Sequence, residues 1–89
     1  MGKLQANQIV KLRNGKYGVT AEFNGNVFQL IFAAYSSPIS AYNEELKHKN
    51  TNYDIVAVYD ASKVENVLSV FKKSFDADKL ELPIVWKES

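Results

Sequence analysis

Cysteine is absent from this chain, and the residues that usually carry catalysis or bind metals are scarce. The 89 residues contain no cysteine and one histidine. The lack of cysteine excludes a disulfide framework, a thiolate nucleophile and a cysteine-based metal site. It also fits a reducing compartment, so we expect a cytoplasmic protein. One histidine and scattered carboxylates lack zinc-ligand spacing, so we predict no metal and no cofactor.

An excess of charge of one sign and a long apolar run are also missing. Eleven basic and ten acidic residues give a formal net charge of +1. The basic footprint of a whole nucleic-acid-binding domain is therefore absent, and any nucleic-acid surface would have to be local. No stretch approaches the ~20 apolar residues of a membrane span. We therefore expect no membrane partner.

What the chain does contain is a β-meander over residues 8–32. Asn-Gly pairs at 14–15 and 24–25 separate three runs in which apolar residues alternate with polar or small ones. Asn-Gly is the strongest short hairpin signal because both central residues of a type I′ turn need positive φ. A two-residue loop at the first corner predicts that Val10 lies opposite Val19. The predicted inner face consists of Val10, Leu12, Tyr17, Val19, Ala21, Phe28, Leu30 and Phe32.

Three further elements follow a long connection. Residues 53–59 predict a fourth strand that is apolar on both faces and so needs cover on both sides. Residues 80–87 alternate around Pro83, which predicts a strand at an edge or at a bulge because proline cannot donate a ladder hydrogen bond. Between these strands, an apolar stripe at helical spacing predicts an amphipathic helix near 62–75. The stripe consists of Val64, Val67, Leu68, Phe71 and Phe75.

These elements predict a single α+β domain over residues 1–89, in which residues 1–7 are expected to fray unless Leu4 packs against the sheet. The order is β-β-β-loop-β-α-β. The five strands can form a curled antiparallel sheet packed on the helix, or they can close into a small SH3-like barrel. We favour a barrel-like, curled sheet because it leaves few free edges.

The connection over residues 33–52 is long for so small a domain, and such segments are often functional or mobile. Ile39, Tyr42 and Leu46 fall at helical spacing, which predicts one or two helical turns. We favour a simpler interpretation, in which Tyr42 and Leu46 pin an otherwise irregular loop. As candidate partner-binding residues we name Tyr42, Asn43, Glu44, Leu46 and His48.

Four motifs occur together in a recognisable order. They are Arg-Asn-Gly at 13–15, Tyr-Asn-Glu-Glu-Leu-Lys-His-Lys at 42–49, Asp-Ile-Val at 54–56 and a tryptophan close to the last residue. This order resembles a family of small phage- and prophage-encoded proteins of Gram-positive bacteria that have no established activity. The resemblance implies a bacterial or phage cytoplasmic origin, and it carries over no catalytic or binding residues.

A catalytic site would have to be built on His48. Asp54 or a nearby glutamate could orient the imidazole as a general base, and serines supply hydroxyls. The chain lacks a nucleophile elbow, an HExxH motif and a phosphate-binding glycine loop. We therefore predict that the protein is not an enzyme, and a small hydrolase using the His48 loop ranks last among our hypotheses.

A local basic cluster supports a second hypothesis. A two-residue loop at 14–15 predicts that Arg13 and Lys16 face each other on the outer face, with Lys11 beside them. Like charges in that arrangement cost up to ~1 kcal/mol, and the cluster could receive phosphates. A weak nucleic-acid binder is therefore the alternative.

Our leading hypothesis is a non-catalytic small interaction module, a phage-type accessory protein that binds an unknown protein partner or a second copy of itself. Small β domains host many unrelated binding roles, so the fold class does not decide among them. An expected outer patch of Ile9, Val27 and Ile31 beside Val85 is a candidate contact surface.

Overall fold

In the computed structural model, which describes residues 4–88, six strands form one antiparallel sheet. The strands are β1 Gln8–Leu12, β2 Tyr17–Phe23, β3 Asn26–Ile31, β4 Ser36–Pro38, β5 Ile55–Asp60 and β6 Ile84–Lys87. Their order across the sheet is β4-β3-β2-β1-β5-β6, so β4 and β6 are its two edges. Both the five-strand count and the closed SH3-like barrel are therefore wrong.

Both edges of the sheet lie close to a proline. β4 pairs with β3 through only three residues, the last of them Pro38. Because proline has no backbone N–H, it cannot donate to a further strand beyond β4. At the opposite edge, Pro83 directly precedes β6, and its carbonyl accepts the N–H of Asp60 in β5 (2.9 Å). Of the two positions predicted for the last strand, an edge or a bulge, the edge is confirmed, although the strand begins only at Ile84.

The first hairpin is one residue out of the predicted register. The N–H of Gly15 donates to the carbonyl of Leu12 (2.9 Å), and the N–H of Leu12 donates to the carbonyl of Lys16 (2.8 Å). The loop therefore has three residues and ends at Gly15, whose φ is +90°, as in a type I turn followed by a bulge. Val10 consequently lies opposite Gly18, not Val19.

The second hairpin has the predicted two-residue turn but a bulge beyond it. Asn24 and Gly25 both have positive φ (53° and 82°), as a type I′ turn requires. The register then shifts between Ala21 and Glu22, which leaves one extra residue on β3. Phe28 was predicted on the inner face, but its side chain is 48% exposed.

The sheet has two cores, one on each face, because β1 and β5 carry buried apolar residues on both faces. The first consists of Val10, Leu12, Leu30, Phe32, Leu46, Ile55 and Val58. The second consists of Ile9, Ala57, Tyr59, Ala61, Val70 and Ala77. Tyr17 and Val19 pack against the second core, whereas the single inner face that we predicted joined them to Val10. Ile9 is fully buried, so the expected outer patch that included it is wrong.

Irregular chain covers both cores. Leu46, Ile39 and Tyr42 from the long connection pack on the first, with short 3₁₀ turns at Ile39–Ala41 and Thr51–Tyr53. Residues 61–82 cover the second, where the backbone N–H of Ala77 donates to the Tyr17 hydroxyl. The prediction that the strand after the long connection is covered on both sides is confirmed. Leu4 also packs against the first core, and residues 1–3 lie outside the described part of the chain.

The amphipathic helix near 62–75 is wrong. That segment contains only a 3₁₀ turn over Val67–Phe71. Leu68 from the predicted apolar stripe is 63% exposed, while Val70 is 3% exposed and packs in the second core. Asn66 accepts the Leu68 N–H with its side chain, a local bond that competes with helical pairing. Three valines in the segment also lower its helix propensity.

Candidate binding sites

Arg13, which we predicted as a phosphate contact, pairs instead with carboxylates of the protein itself. Its guanidinium forms ion pairs with Asp54 (3.2 Å) and with Glu88 (2.8 Å). Lys47 approaches the same Glu88 carboxylate at 3.5 Å. The Arg13 N–H also donates to the Asp54 carbonyl, so backbone and side chain hold the hairpin corner to the start of β5. Arg13 is therefore a bridge between the first hairpin and the C-terminal segment.

Asp54 is the buried centre of this bridge, with 3% of its surface exposed. One carboxylate oxygen accepts the backbone N–H of His48 (2.8 Å), and the other accepts from Arg13. The hydrogen bond from His48, with a further one from Arg13, lowers the pKa of Asp54 below its ordinary value. The hydrogen bond from Arg13 likewise lowers the pKa of Glu88. Both carboxylates are held ionised as partners of Arg13.

The other two predicted phosphate contacts, Lys11 and Lys16, lie apart from this bridge. Lys16 pairs opposite Leu12 and not opposite Arg13, so the like-charge pair that we predicted there is wrong. The Lys11 ammonium lies 5.8 Å from the centre of the Tyr17 ring, within the range of a cation–π contact. The structure thus pairs Arg13 with carboxylates of the protein and leaves the two lysines near Tyr17.

The predicted partner-binding loop is held in place by several hydrogen bonds and by one buried side chain. The Asn43 side-chain oxygen accepts the backbone N–H groups of Glu45 (2.8 Å) and Lys47 (3.0 Å). Leu46 has φ +64°, and its side chain is 4% exposed in the first core. The N–H of Ile55 donates to the Leu46 carbonyl (3.0 Å), which joins the loop to β5. Pinning by Leu46 is confirmed, while the helical turns amount only to the 3₁₀ turn Ile39–Ala41.

His48 packs between two tyrosines. Its ring meets those of Tyr42 and Tyr53 edge-on, with centroid distances of 5.2 and 5.3 Å. Its Nδ1 accepts the backbone N–H of Asn50 (2.9 Å), and the Tyr42 hydroxyl donates to the Tyr53 carbonyl (2.9 Å). Burial raises the pKa of Tyr42 well above its ordinary value. Asp54 binds the backbone of His48 and not its ring, so these two residues do not form a general-base pair.

Beside this loop lies a pocket of about 450 Å³, which we call the loop pocket. Its less exposed lining is apolar: Leu4, Val27, Ile39, Tyr42 and Leu46. Its exposed lining is polar: Gln5, Asn26, Asn43 and Glu44. An apolar interior with a few polar groups at the mouth is the usual composition of a ligand-binding site.

A second cleft, of about 320 Å³, has a different composition, and we call it the basic cleft. Three exposed lysines border it: Lys16, Lys72 and Lys73. Five aromatic residues line it: Tyr17, Phe32, Tyr35, Phe71 and Phe75. Its described lining includes no carboxylate, and it shares no residue with the loop pocket. The sequence predicted Lys16 as a phosphate contact but not Lys72 or Lys73, because these two residues fell at the end of the predicted helix.

No family model, no curated protein and no solved structure matches this chain. Within residues 4–88, no helix is long and apolar enough to span a bilayer. The same residues include no group of three or more histidine and carboxylate side chains arranged to hold a metal ion.

Proposed function

We propose that this chain is a non-catalytic interaction module that binds a segment of a protein partner in the loop pocket. The observation that carries the proposal is the coincidence between the predicted partner loop and this pocket. Four of the five loop residues that we predicted line it, namely Tyr42, Asn43, Glu44 and Leu46. The fifth, His48, packs against the Tyr42 ring from outside the lining.

The loop that forms the pocket is held in place before any partner arrives. Asn43 organises its turn, Leu46 anchors it in the core, and the Tyr42 hydroxyl bonds the Tyr53 carbonyl. A binding surface that is already ordered avoids the entropy cost of fixing loops and side chains on association. Such rigidity supports recognition of a short segment, because little of the interaction energy is lost to ordering.

The chemistry of the pocket defines its occupant as an apolar anchor residue with a basic neighbour. The buried wall around Ile39 and Leu46 accepts an aliphatic or aromatic side chain. Glu44 lies at the mouth, and the described lining contains no lysine or arginine. Side-chain amides of Asn26 and Asn43 can pair with the partner's peptide groups. A volume of about 450 Å³ lies in the ~300–1,000 Å³ range of small-ligand sites.

A binding role agrees better with the contacts of His48 and Asp54 than a hydrolase does. The Asp54 oxygens bond to Arg13 and to the backbone of His48, while the His48 ring lies between two tyrosines. This arrangement stabilises the loop and orients no base toward a substrate. A cytoplasmic location and a phage-type accessory role complete the proposal, and they rest on the absence of cysteine and on the resemblance described above.

The test compares two pools of short peptides, each with a central leucine. One pool has arginine beside the leucine, and the other has glutamate in its place. We expect the arginine pool to bind more tightly in a fluorescence-anisotropy titration. Glu44→Lys should weaken that binding by about fivefold, because an exposed charge pair contributes up to ~1 kcal/mol and tenfold corresponds to ~1.4 kcal/mol.

The neighbouring Glu45→Lys is the matched control, because Glu45 carries the same charge one residue away and does not line the pocket. It should leave the affinity for the arginine pool unchanged. Equal affinity for both pools, or an equal loss in the two variants, would refute the pocket as the site. Binding by neither pool would refute the interaction module as we describe it.

A further inference from the structure

We propose that the basic cleft is a second binding site, for a nucleotide unit whose phosphate meets Lys16, Lys72 and Lys73 and whose base stacks on Tyr35. The cleft combines cations with aromatic rings in one concave surface. It shares no lining residue with the loop pocket, so this proposal does not depend on the proposal that a protein partner binds there.

The first support is an unbalanced positive charge. The ion pairs of the described residues use Arg13 and Lys47, and none of them involves the three lysines of the cleft. Lys72 and Lys73 are adjacent in sequence, and the hairpin corner brings Lys16 to the same cleft. The described lining contains no carboxylate, so a bound anion would lower the repulsion among these like charges.

The second support is an accessible aromatic face. The Tyr35 ring stacks on the Phe32 ring with centroids 4.8 Å apart and planes 21° from parallel. Phe32 is buried at 4% exposure, whereas Tyr35 is 41% exposed. Phe32 thus fixes one face of the Tyr35 ring to the core, and the Tyr53 ring lies 6.3 Å away at a tilt of 52°, while Tyr35 keeps an exposed part in the cleft. A supported ring of this kind is a platform on which a base can stack.

The backbone around the platform leaves room for a ligand. The N–H of Phe32 donates to the carbonyl of Tyr35 (2.8 Å), which closes a tight turn through Ala33 and Ala34. These two small side chains are exposed and line the cleft. Gly15 also lines the cleft, and a methyl group there would meet no atom within 4 Å. These small residues in the lining leave room for a flat base beside Tyr35.

The charged and aromatic features lie on segments that are distant in sequence. The corner after β1 supplies Lys16, the turn after β3 supplies Tyr35, and the segment after the 3₁₀ turn Val67–Phe71 supplies Lys72 and Lys73. The cluster that we predicted from sequence used neighbours along one hairpin and included no exposed aromatic residue. The folded chain retains Lys16 from that cluster and combines it with Lys72 and Lys73 in place of Lys11 and Arg13.

A free nucleotide and single-stranded nucleic acid carry the same chemistry, and the probes distinguish them. Fluorescein-labelled oligothymidylate is titrated with the protein, and thymidine monophosphate and inorganic phosphate serve as competitors. If single strands are the ligand, oligothymidylate should bind at least tenfold more tightly than the monophosphate. On a strand the three lysines would meet successive phosphates, so the log–log salt slope should be about −2, since each neutralised phosphate contributes ~0.7 for single strands. If the free nucleotide is the ligand, the two should bind equally.

Matched variants locate the binding. Tyr35→Ala should weaken it tenfold or more, in line with loss of one stacked base, and Lys73→Glu should weaken it and flatten the salt slope. The controls are Phe23→Ala, at an aromatic residue that is 69% exposed outside the cleft, and Lys79→Glu, an exposed lysine outside it. Neither control should change the affinity.

Three results would overturn the site. The first is no binding of any probe at about 50 mM salt, where the phosphate contribution is large. The second is an equal loss of affinity in the cleft variants and their controls. The third is full competition by inorganic phosphate with no effect of Tyr35→Ala, which would reduce the cleft to a phosphate contact without base recognition. Thermal melts of all four variants identify any loss that arises from unfolding.

Discussion

At the scale of single residues, Asp54 shows how one carboxylate can organise a loop and a hairpin together. It is buried, it accepts the His48 N–H, and it pairs with Arg13. A buried charge is tolerated only when it is paired and hydrogen-bonded, and both of its oxygens meet that condition. The sequence of the loop gave no indication of this role, because an isolated aspartate before a strand can serve many other structural roles.

The lowered pKa of Asp54 makes stability depend on pH. Since the folded state binds its proton less readily than the unfolded state, the contribution is complete above the ordinary carboxyl pKa of about 4 and declines as pH falls below it. We expect the free energy of unfolding, from urea melts, to drop between about pH 5 and pH 2. Asp54→Asn should be less stable near neutral pH and should show a shallower drop. Glu65→Gln, at an exposed glutamate, should retain the full drop.

A second prediction at this scale concerns Gly18. A methyl group there would lie 2.6 Å from Cδ1 of the Phe32 ring and 3.0 Å from the Ile31 carbonyl oxygen. The ring is buried and stacked on Tyr35, so it has little freedom to move. Gly18→Ala should therefore cost about 1–3 kcal/mol in urea melts, the usual range for overpacking.

Repeating Gly18→Ala in a Phe32→Leu background tests that mechanism. The smaller side chain should relieve the clash, so the second cost should be clearly less than the first. Equal costs in the two backgrounds would assign the effect to the backbone and not to the ring.

At the scale of elements, alternation predicted the strands but not their pairing. Residues 8–32, 53–59 and the final strand all appear close to where the pattern indicated them. The first Asn-Gly corner, however, closes a three-residue loop in which only Gly15 has positive φ, whereas the second closes a true two-residue turn. Both loops accept Asn-Gly, so the dipeptide alone could not fix the register. Because side chains alternate with period two, that single residue decided which apolar residues share a face.

The helix prediction for residues 62–75 failed for a related reason. The apolar residues of this segment fit a helical stripe, but their spacing carries no information about the surface on which the segment packs. Beneath it lies a sheet face around Tyr59, which irregular chain with several turns, one of them 3₁₀, covers. The candidate loop was predictable from its length, whereas the basic cleft depends on the course of this segment and was not.

Two side-chain truncations within residues 62–75 test whether this segment is a helix. Val70→Ala should cost about 2 kcal/mol, because a buried valine loses two methyl groups. Leu68→Ala should cost under about 0.5 kcal/mol, as changes at exposed positions usually do. A helix with the predicted stripe would give the reverse order. Urea melts of the two variants decide between these arrangements.

At the scale of the whole molecule, one sheet is covered on both faces by chain that is mostly irregular. The interior strands β1 and β5 pair over five registered positions, and their residues enter both cores. The edges β4 and β6 each have a single neighbour. Stability should therefore be greatest in β1 and β5, which supply both cores, and lowest at the edges.

Native-state hydrogen exchange measures that gradient. The slowest amides should lie in β1 and β5, at residues such as Val10 and Val58, whereas the ladder amides of β4 should exchange much faster. Protection greatest in β3 and β4 would contradict the strand order and the position of the two cores.

The central claim, that the loop pocket is the binding surface, is tested most directly by a ¹H–¹⁵N NMR titration with the arginine-containing peptide pool. The account predicts saturable shifts confined to the pocket lining, at residues such as Asn26, Ile39 and Glu44, while Lys72 remains unperturbed. Shifts centred on the edge strand β6, or none at saturating peptide, would contradict it.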